Sequence, residues 1–145
     1  MEQPPISRLG MLYLSLGLAQ TAHSVEEMLT HLYDFFWVVS GALHHTFSWY
    51  PQFRWPADLF GAVNMMLIAL LLGSWPFVER RNSWALNLAG VAGVIETLNG
   101  CNHLAAAVVF RSYVPGAITA PVLLVLGPLV LRELWRSCKA GDSNQ

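Results

Sequence analysis

Charge is what this sequence has least of. Asp, Glu, Lys and Arg together make up 12% of its 145 residues and apolar side chains 54%, where soluble domains carry about 25% charged residues. That shortage points to a multi-pass membrane protein and away from a soluble core. The net charge of -1 removes the electrostatic case for a nucleic-acid partner. Cysteine is nearly absent: Cys101 falls mid-helix and Cys138 in the tail, so no disulfide is expected. No small-x-small cleavage site follows the N-terminal apolar run, which meets Gln20, His23 and two glutamates. The run therefore reads as a retained anchor, not a signal peptide. Internal repeats and low-complexity stretches are lacking too.

What is present is four long apolar stretches. The first runs roughly over 9–32, the second over 56–77, the third over 84–110 and the fourth over 117–135. Pro56 suits a first helical turn, where the missing N–H costs nothing. Asn82 or Ser83 can cap the third stretch. Tyr113-Val114-Pro115-Gly116 reads as a turn. Pro121 and Pro128 are tolerable inside a membrane helix. Residues 34–57 form the longest connection and hold Phe35, Phe36, Trp37, Phe47, Trp49, Tyr50, Phe53 and Trp55. Such aromatics suit the headgroup level, so this stretch is expected to be an interfacial segment or lid. The fold expected is all-α: a four-helix transmembrane bundle with an aromatic-rich interfacial segment between helices 1 and 2. One four-span domain covers 1–137, and 138–145 form a polar, disordered tail. Four spans put both termini on one side, with Arg8, Arg80, Arg81, Arg132, Arg136 and Lys139, against Arg54 and Arg111 opposite. The positive-inside rule makes that side cytoplasmic.

Two polar patches interrupt the apolar stretches. His23, Glu26 and Glu27 share one face of the first helix, Glu27 about 40° to one side of His23 and Glu26 about 60° to the other. On the third helix, Glu96, Asn99 and His103 fall within an arc of about 60°. At about 1.5 Å per residue, His23 lies about 20 Å from the cytoplasmic end, Glu96 about 18 Å and His103 about 28 Å. Asn64, on the oppositely directed second helix, lands near the depth of Glu96. Asn102 points away from the polar face and reads as a packing residue. Three glutamates and two histidines thus meet in hydrocarbon without a lysine or arginine. Ionisable groups there cost about 2.5–3.5 kcal/mol each on insertion scales. Either protons or a metal cation must balance the carboxylates. His31, near the end of the first helix, and His44-His45, in the aromatic segment, read as surface residues.

The pattern His23-x-x-Glu26-Glu27, then Glu96-x-x-Asn99-x-x-x-His103, then Tyr113-x-Pro115-Gly116 with Thr119, resembles the small bacterial membrane family named for its HxxEE motif. The resemblance spans most of the chain. It implies a shared polar site in a four-helix membrane protein of the bacterial inner membrane. It supplies no substrate or reaction.

The reading that follows is an enzyme acting on an apolar, lipid-soluble substrate. Its catalytic candidates are His23, Glu26, Glu27, Glu96, Asn99 and His103, with Asn64, Tyr113 and Thr119 in secondary positions. As a metalloenzyme it would use His23, Glu27, Glu96 and His103 as ligands for zinc, iron or manganese, in hydrolysis or oxidation. A di-iron site is disfavoured, since bundle di-iron sites use the reverse motif, Glu-x-x-His, and four carboxylates. Two alternatives stand beside it. One is a metal-free acid–base isomerase or cyclase of an isoprenoid-like substrate, with carboxylates driven to different pKa values. The other is a non-enzymatic, proton-coupled carrier or ligand-binding membrane protein, disfavoured without inverted repeats unless the chain is a homodimer.

Overall fold

A computed structural model describes residues 6–142. Five helices and no strand occur among them: α1 (Arg8–Leu29), α2 (Leu32–Thr46), α3 (Ala57–Glu79), α4 (Ser83–Phe110) and α5 (Ala120–Asp142). The helical expectation holds, and three of the four apolar stretches coincide with α1, α3 and α4 to within a few residues. Three boundaries differ. The first helix stops at Leu29 because Thr30 leaves helical geometry and His31 turns left-handed, at φ 58°. Histidine is among the few non-glycine residues that tolerate this region. The aromatic segment expected as a lid is itself mostly helix, α2, followed by extended chain over 47–56. The last helix starts later and runs on to Asp142, so residues 138–142 of the expected disordered tail are helical. The remaining tail, 143–145, lies outside the described residues.

Four helices form a ring in the order α1, α3, α4, α5, and α2 lies against α1 outside it. Tight contact of α4 with α5 depends on glycine. A Cβ on Gly100 would stand 2.8 Å from the Ala120 carbonyl oxygen, and one on Gly127 2.7 Å from the Gly93 oxygen. Only bare backbone permits that approach, as in small-residue packing between membrane helices. Contact between α3 and α4 is sparser, and a cleft opens there.

The two ends of the bundle differ in chemistry. Near the start of α1 the interior is dry: Leu9, Tyr13 and Leu16 pack with Leu71 and Val78 of α3, Ala85, Ala89 and Ala92 of α4, and Leu123 and Val130 of α5. Ser7 caps α1, accepting from the Gly10 N–H at 3.0 Å, and Glu79 accepts from both the N–H and the hydroxyl of Ser7 at 2.8 Å. Toward the other end the interior turns polar, with Gln20, His23, Ser24, Glu27, Asn64, Glu96 and His103 all buried. Outward positions are apolar by contrast, Met66 being 68% exposed and Val108 76%.

Among the described residues, one helix, α3, is long and apolar enough to cross a membrane. In α1 and α4 the polar patches interrupt the apolar run, and Arg132, Glu133 and Arg136 do so in α5. The four-span bundle expected from the sequence is therefore supported in its helices but not, by this criterion, in each of its spans.

Candidate functional site

The site is built across the diagonal of the ring, from α1 to α4. His23 and Glu27 stand four residues apart on α1, hence on one face one turn apart. His103 reaches them from α4. Glu27 Oε1 lies 3.1 Å from His23 Nε2 and 3.1 Å from His103 Nε2. The two imidazoles meet edge to face, with centroids 4.7 Å apart and an interplanar angle of 81°. One ligand atom from each of the three residues lies within 4.8 Å of the others, and all three side chains are buried.

Glu26 does not join this group. It turns toward the start of α5, where its carboxylate accepts from Tyr113 Oη at 2.7 Å, Ile118 N at 3.0 Å, Thr119 N at 2.9 Å and Thr119 Oγ1 at 2.6 Å. It thereby satisfies N–H groups just before α5, as a capping carboxylate does. Tyr113 sits in the loop, and desolvation, together with its bond to Glu26, raises its phenol above the usual range.

This arrangement decides which ring nitrogen of His23 carries a proton. The Thr119 hydroxyl spends its one hydrogen on Glu26, so toward His23 it can only accept. The 2.7 Å contact between His23 Nδ1 and Thr119 Oγ1 is then an Nδ1–H donation. In a neutral imidazole, Nε2 is left as a bare lone pair facing the Glu27 oxygen. That Nε2 is fully buried and has no hydrogen-bond partner among the described residues, despite the 3.1 Å approach. Two acceptors face each other unless something positive lies between them. The two distances from Glu27 to the rings are close to the roughly 3.3 Å between ligands held tetrahedrally at about 2.0–2.1 Å from one ion, and all three ligand atoms lie within 4.8 Å. The His23–Thr119–Glu26 relay also has the form of an outer shell that fixes a ligating histidine's tautomer.

The other expected site residues are dispersed around this group. Glu96 is 1% exposed and one of its oxygens is unpartnered. It stands outside the three-residue group. Asn64 binds α3 to α1, its Oδ1 accepting from Ser24 Oγ at 2.6 Å, and Gln20 Nε2 donates to the same hydroxyl at 3.1 Å. Asn99 lines the cleft between α3 and α4. So does Asn102, which the sequence had pointing away. It is exposed. His44 and His45 are exposed, and His44 Nδ1 contacts the Tyr50 carbonyl at 2.6 Å, far along the chain from the site.

Several contributors escaped sequence reasoning. Gln20 and Ser24 lie on the same face of α1 as His23 and Glu27, so helical periodicity could have found them. Gly116 was assigned only to a turn. It has φ 89°, and a Cβ there would stand 2.7 Å from His103 Nδ1 and 2.9 Å from His23 Cε1. Its bare backbone is the floor beneath both rings. The Ile118 and Thr119 N–H groups carry no side-chain signal at all.

The cleft has a volume of about 570 Å³. Gln20, Glu27, Asn64, Asn99, Asn102 and His103 form its polar end. Leu32, Phe35, Phe36 and Val39 of α2 cover it, so the aromatic helix acts as its roof.

Comparison with known proteins finds no match among curated proteins or solved structures. A family model does match, over residues 14–131, and those bounds enclose the whole His23–Glu27 motif, His103, the Tyr113–Gly116 turn and Thr119. The chain thus belongs to the family described as proteins of unknown function with the HXXEE motif.

Proposed function

We propose that this chain is a membrane-embedded, metal-dependent enzyme acting on a lipid-soluble substrate, with His23, Glu27 and His103 as the ligands. The observation that carries this reading is the orphaned Nε2 of His23, held bare by Thr119 and aimed at Glu27 beside a second imidazole. A membrane location is supported by the inverted distribution of side chains. Polar and ionisable groups are buried inside one half of the bundle while long apolar ones face outward along α1, α3, α4 and α5. Contiguous apolar surface of that kind marks contact with lipid or a partner. Buried ionisable residues in such a bundle mark function. The bundle then crosses the bacterial inner membrane as four spans, α1, α3, α4 and α5, with both termini cytoplasmic and α2 at the outer interface.

Two histidines and one carboxylate suit zinc, iron or manganese. When bound, such an ion keeps an open position and supplies Lewis-acid polarisation and an activated water. The protein's own part is better defined. His23 holds its proton on Nδ1, Thr119 and Glu26 keep it there, and Glu27 spans both rings. Glu96, outside the ligand group, remains free to give or accept a proton. The side cleft delivers an apolar substrate directly from lipid.

Elemental analysis of detergent-purified protein tests the reading. About one equivalent of zinc, iron or manganese is expected in the wild type, and background in His103→Ala. A folded wild type that holds no metal and recruits none would defeat it. The buried His–Glu–His group would then serve acid–base chemistry without metal.

Thr119→Val keeps the shape of the side chain and removes the hydroxyl's bonds to His23 and Glu26. Metal should still bind, with affinity lowered about 10–100-fold, the usual cost of losing an outer partner of a ligating histidine. Chelator competition measures this. An unchanged affinity would mean that the relay does not orient His23.

A further inference from the structure

A second recess lies on the outside of the bundle, between α4 and α5, toward the end that carries Ser7 and Glu79. It is a groove of about 930 Å³. We propose that it binds an anionic phospholipid of the membrane, with an acyl chain along the groove and the phosphate at Arg81. The proposal rests on the membrane location argued above and not on the metal site.

Three observations carry it. First, the groove has the form of a chain site. It follows α4 from Leu86 to Ile95, a rise of about 14 Å at 1.5 Å per residue. Val91 and Val94 line it from α4, and Leu131 and Leu134 from α5. Gly90, between them, adds no side chain to fill it. Second, its polar lining residues are Arg81, Asn87 and Ser137, all at one end, and no Asp or Glu lines it. Each of the three offers a donor, and a phosphate offers only acceptors. Arginine grips phosphate through charge-assisted hydrogen bonds. The guanidinium of Arg81 is not spent on an ion pair among the described residues. The acids at this end are engaged elsewhere, Glu79 with Ser7 and Glu133 with Arg8 at 3.6 Å and Arg136 at 3.9 Å. A neutral chain, or the apolar face of a second copy, would leave the charge of Arg81 unmatched. Third, the polar end sits at head-group level. Trp84 and Trp135, 50% and 65% exposed, stand three residues before Asn87 and two before Ser137. Exposed tryptophans of this kind mark the membrane–water interface. Arg81 then lies among lipid phosphates on the cytoplasmic side, where anionic lipids attract basic residues.

Native mass spectrometry of the full chain in mild non-ionic detergent tests this, with dioleoylphosphatidylglycerol and dioleoylphosphatidylcholine as equimolar probes. The two share their chains and differ in net charge. One phosphatidylglycerol should bind about fivefold more tightly than phosphatidylcholine, the preference that one arginine supplies near an anionic lipid. Arg81→Asn should erase that preference. Asparagine tolerates the left-handed backbone there, φ 56°, so the turn is kept. Gly90→Leu should fill the groove and abolish binding of both lipids. Its Cβ would meet only Leu134 Cδ1, at 3.8 Å, an ordinary contact. If that variant does not fold, Val94→Trp fills the groove from the next turn of α4. Equal binding of the two lipids by the wild type, or a preference that survives both substitutions, would overturn the proposal. So would a dimer that Gly90→Leu dissociates, since a second copy would then occupy the groove. A chain that stays in solution without detergent would sink the membrane location and the lipid site with it. A detergent-dependent chain without lipid preference would sink the lipid site alone. Metal content should not change in either variant, since neither Arg81 nor Gly90 lines the cleft.

Discussion

Glu27→Gln is expected to lose the metal proposed for this site while its helices stay intact. Glu27 Oε1 bridges the other two proposed ligands, at 3.1 Å from each imidazole Nε2. Gln is nearly isosteric and its amide oxygen still accepts hydrogen bonds, so packing is preserved. It cannot supply the negative charge that neutralises a divalent ion among apolar surroundings, and burial makes that charge matter most. The loss of affinity should therefore exceed the 10–100-fold typical of outer-shell changes. Chelator competition reads the affinity, and far-UV circular dichroism reads the fold. The neighbouring Glu26→Gln separates the two glutamates of the motif. Its carboxylate lies among Tyr113, Ile118 and Thr119 and not against the ligand atoms. It should retain metal at reduced affinity. A Glu27→Gln protein that binds metal like the wild type, or a Glu26→Gln protein that fails completely while Glu27→Gln does not, would reverse the assignment.

That division of labour between adjacent glutamates marks the limit of what the sequence made legible. Helical periodicity placed His23, Glu26 and Glu27 on one face, with the glutamates on opposite sides of the histidine. It could not say which neighbour packs on which side. In the ring, one side faces the interior and His103 and the other faces α5, and an angle measured on a single helix holds no information about neighbours. Glu96 illustrates the same point. Its depth and face suggested a ligand, but it stands beyond the three atoms that converge. The convergence of α1 with α4 was legible, because buried ionisable groups at matching depth have few alternatives in an apolar bundle.

The secondary structure was least legible where composition was read instead of periodicity. Leu32, Phe35, Phe36 and Val39 follow the spacing i, i+3, i+4, i+7 of an amphipathic helix. Aromatic density and the nearby Pro51 and Pro56 obscured that pattern. At the other end, polarity after Ser137 was taken as the end of order. The helix continues there, with the Lys139 ammonium 5.1 Å from the ring of Trp135 one turn earlier. A polar stretch can remain helical when its side chains interact at i, i+4 spacing.

The glycine beneath the rings carries the most demanding test of the site's geometry. Gly116→Ala should abolish metal binding although no ligand is altered. The backbone there has φ 89°, a conformation that costs an L-residue about 1–3 kcal/mol. The added Cβ would also meet His103 Cε1 and Nδ1 at 2.7 Å and His23 Cε1 at 2.9 Å, closer than real Cβ contacts come. Those neighbours are stiff rings, not the free ends of flexible chains, so either both imidazoles move or the loop does. Ligand atoms must be held to within about 0.5 Å to share one ion. If the loop moves instead, the nearby Thr119 hydroxyl shifts off His23 Nδ1 and frees the tautomer. Both routes remove the site, so metal should fall to background with a moderate drop in thermal stability. Gly73→Ala is the matched control, since a Cβ there has nothing within 4 Å. In a helix that change should be neutral or stabilising by about 0.5–1 kcal/mol, with metal retained. If Gly116→Ala kept full affinity, the two histidines would not be working as a pair held from below. The bare Nε2 of His23 would then have to be explained by a proton and not by a metal ion.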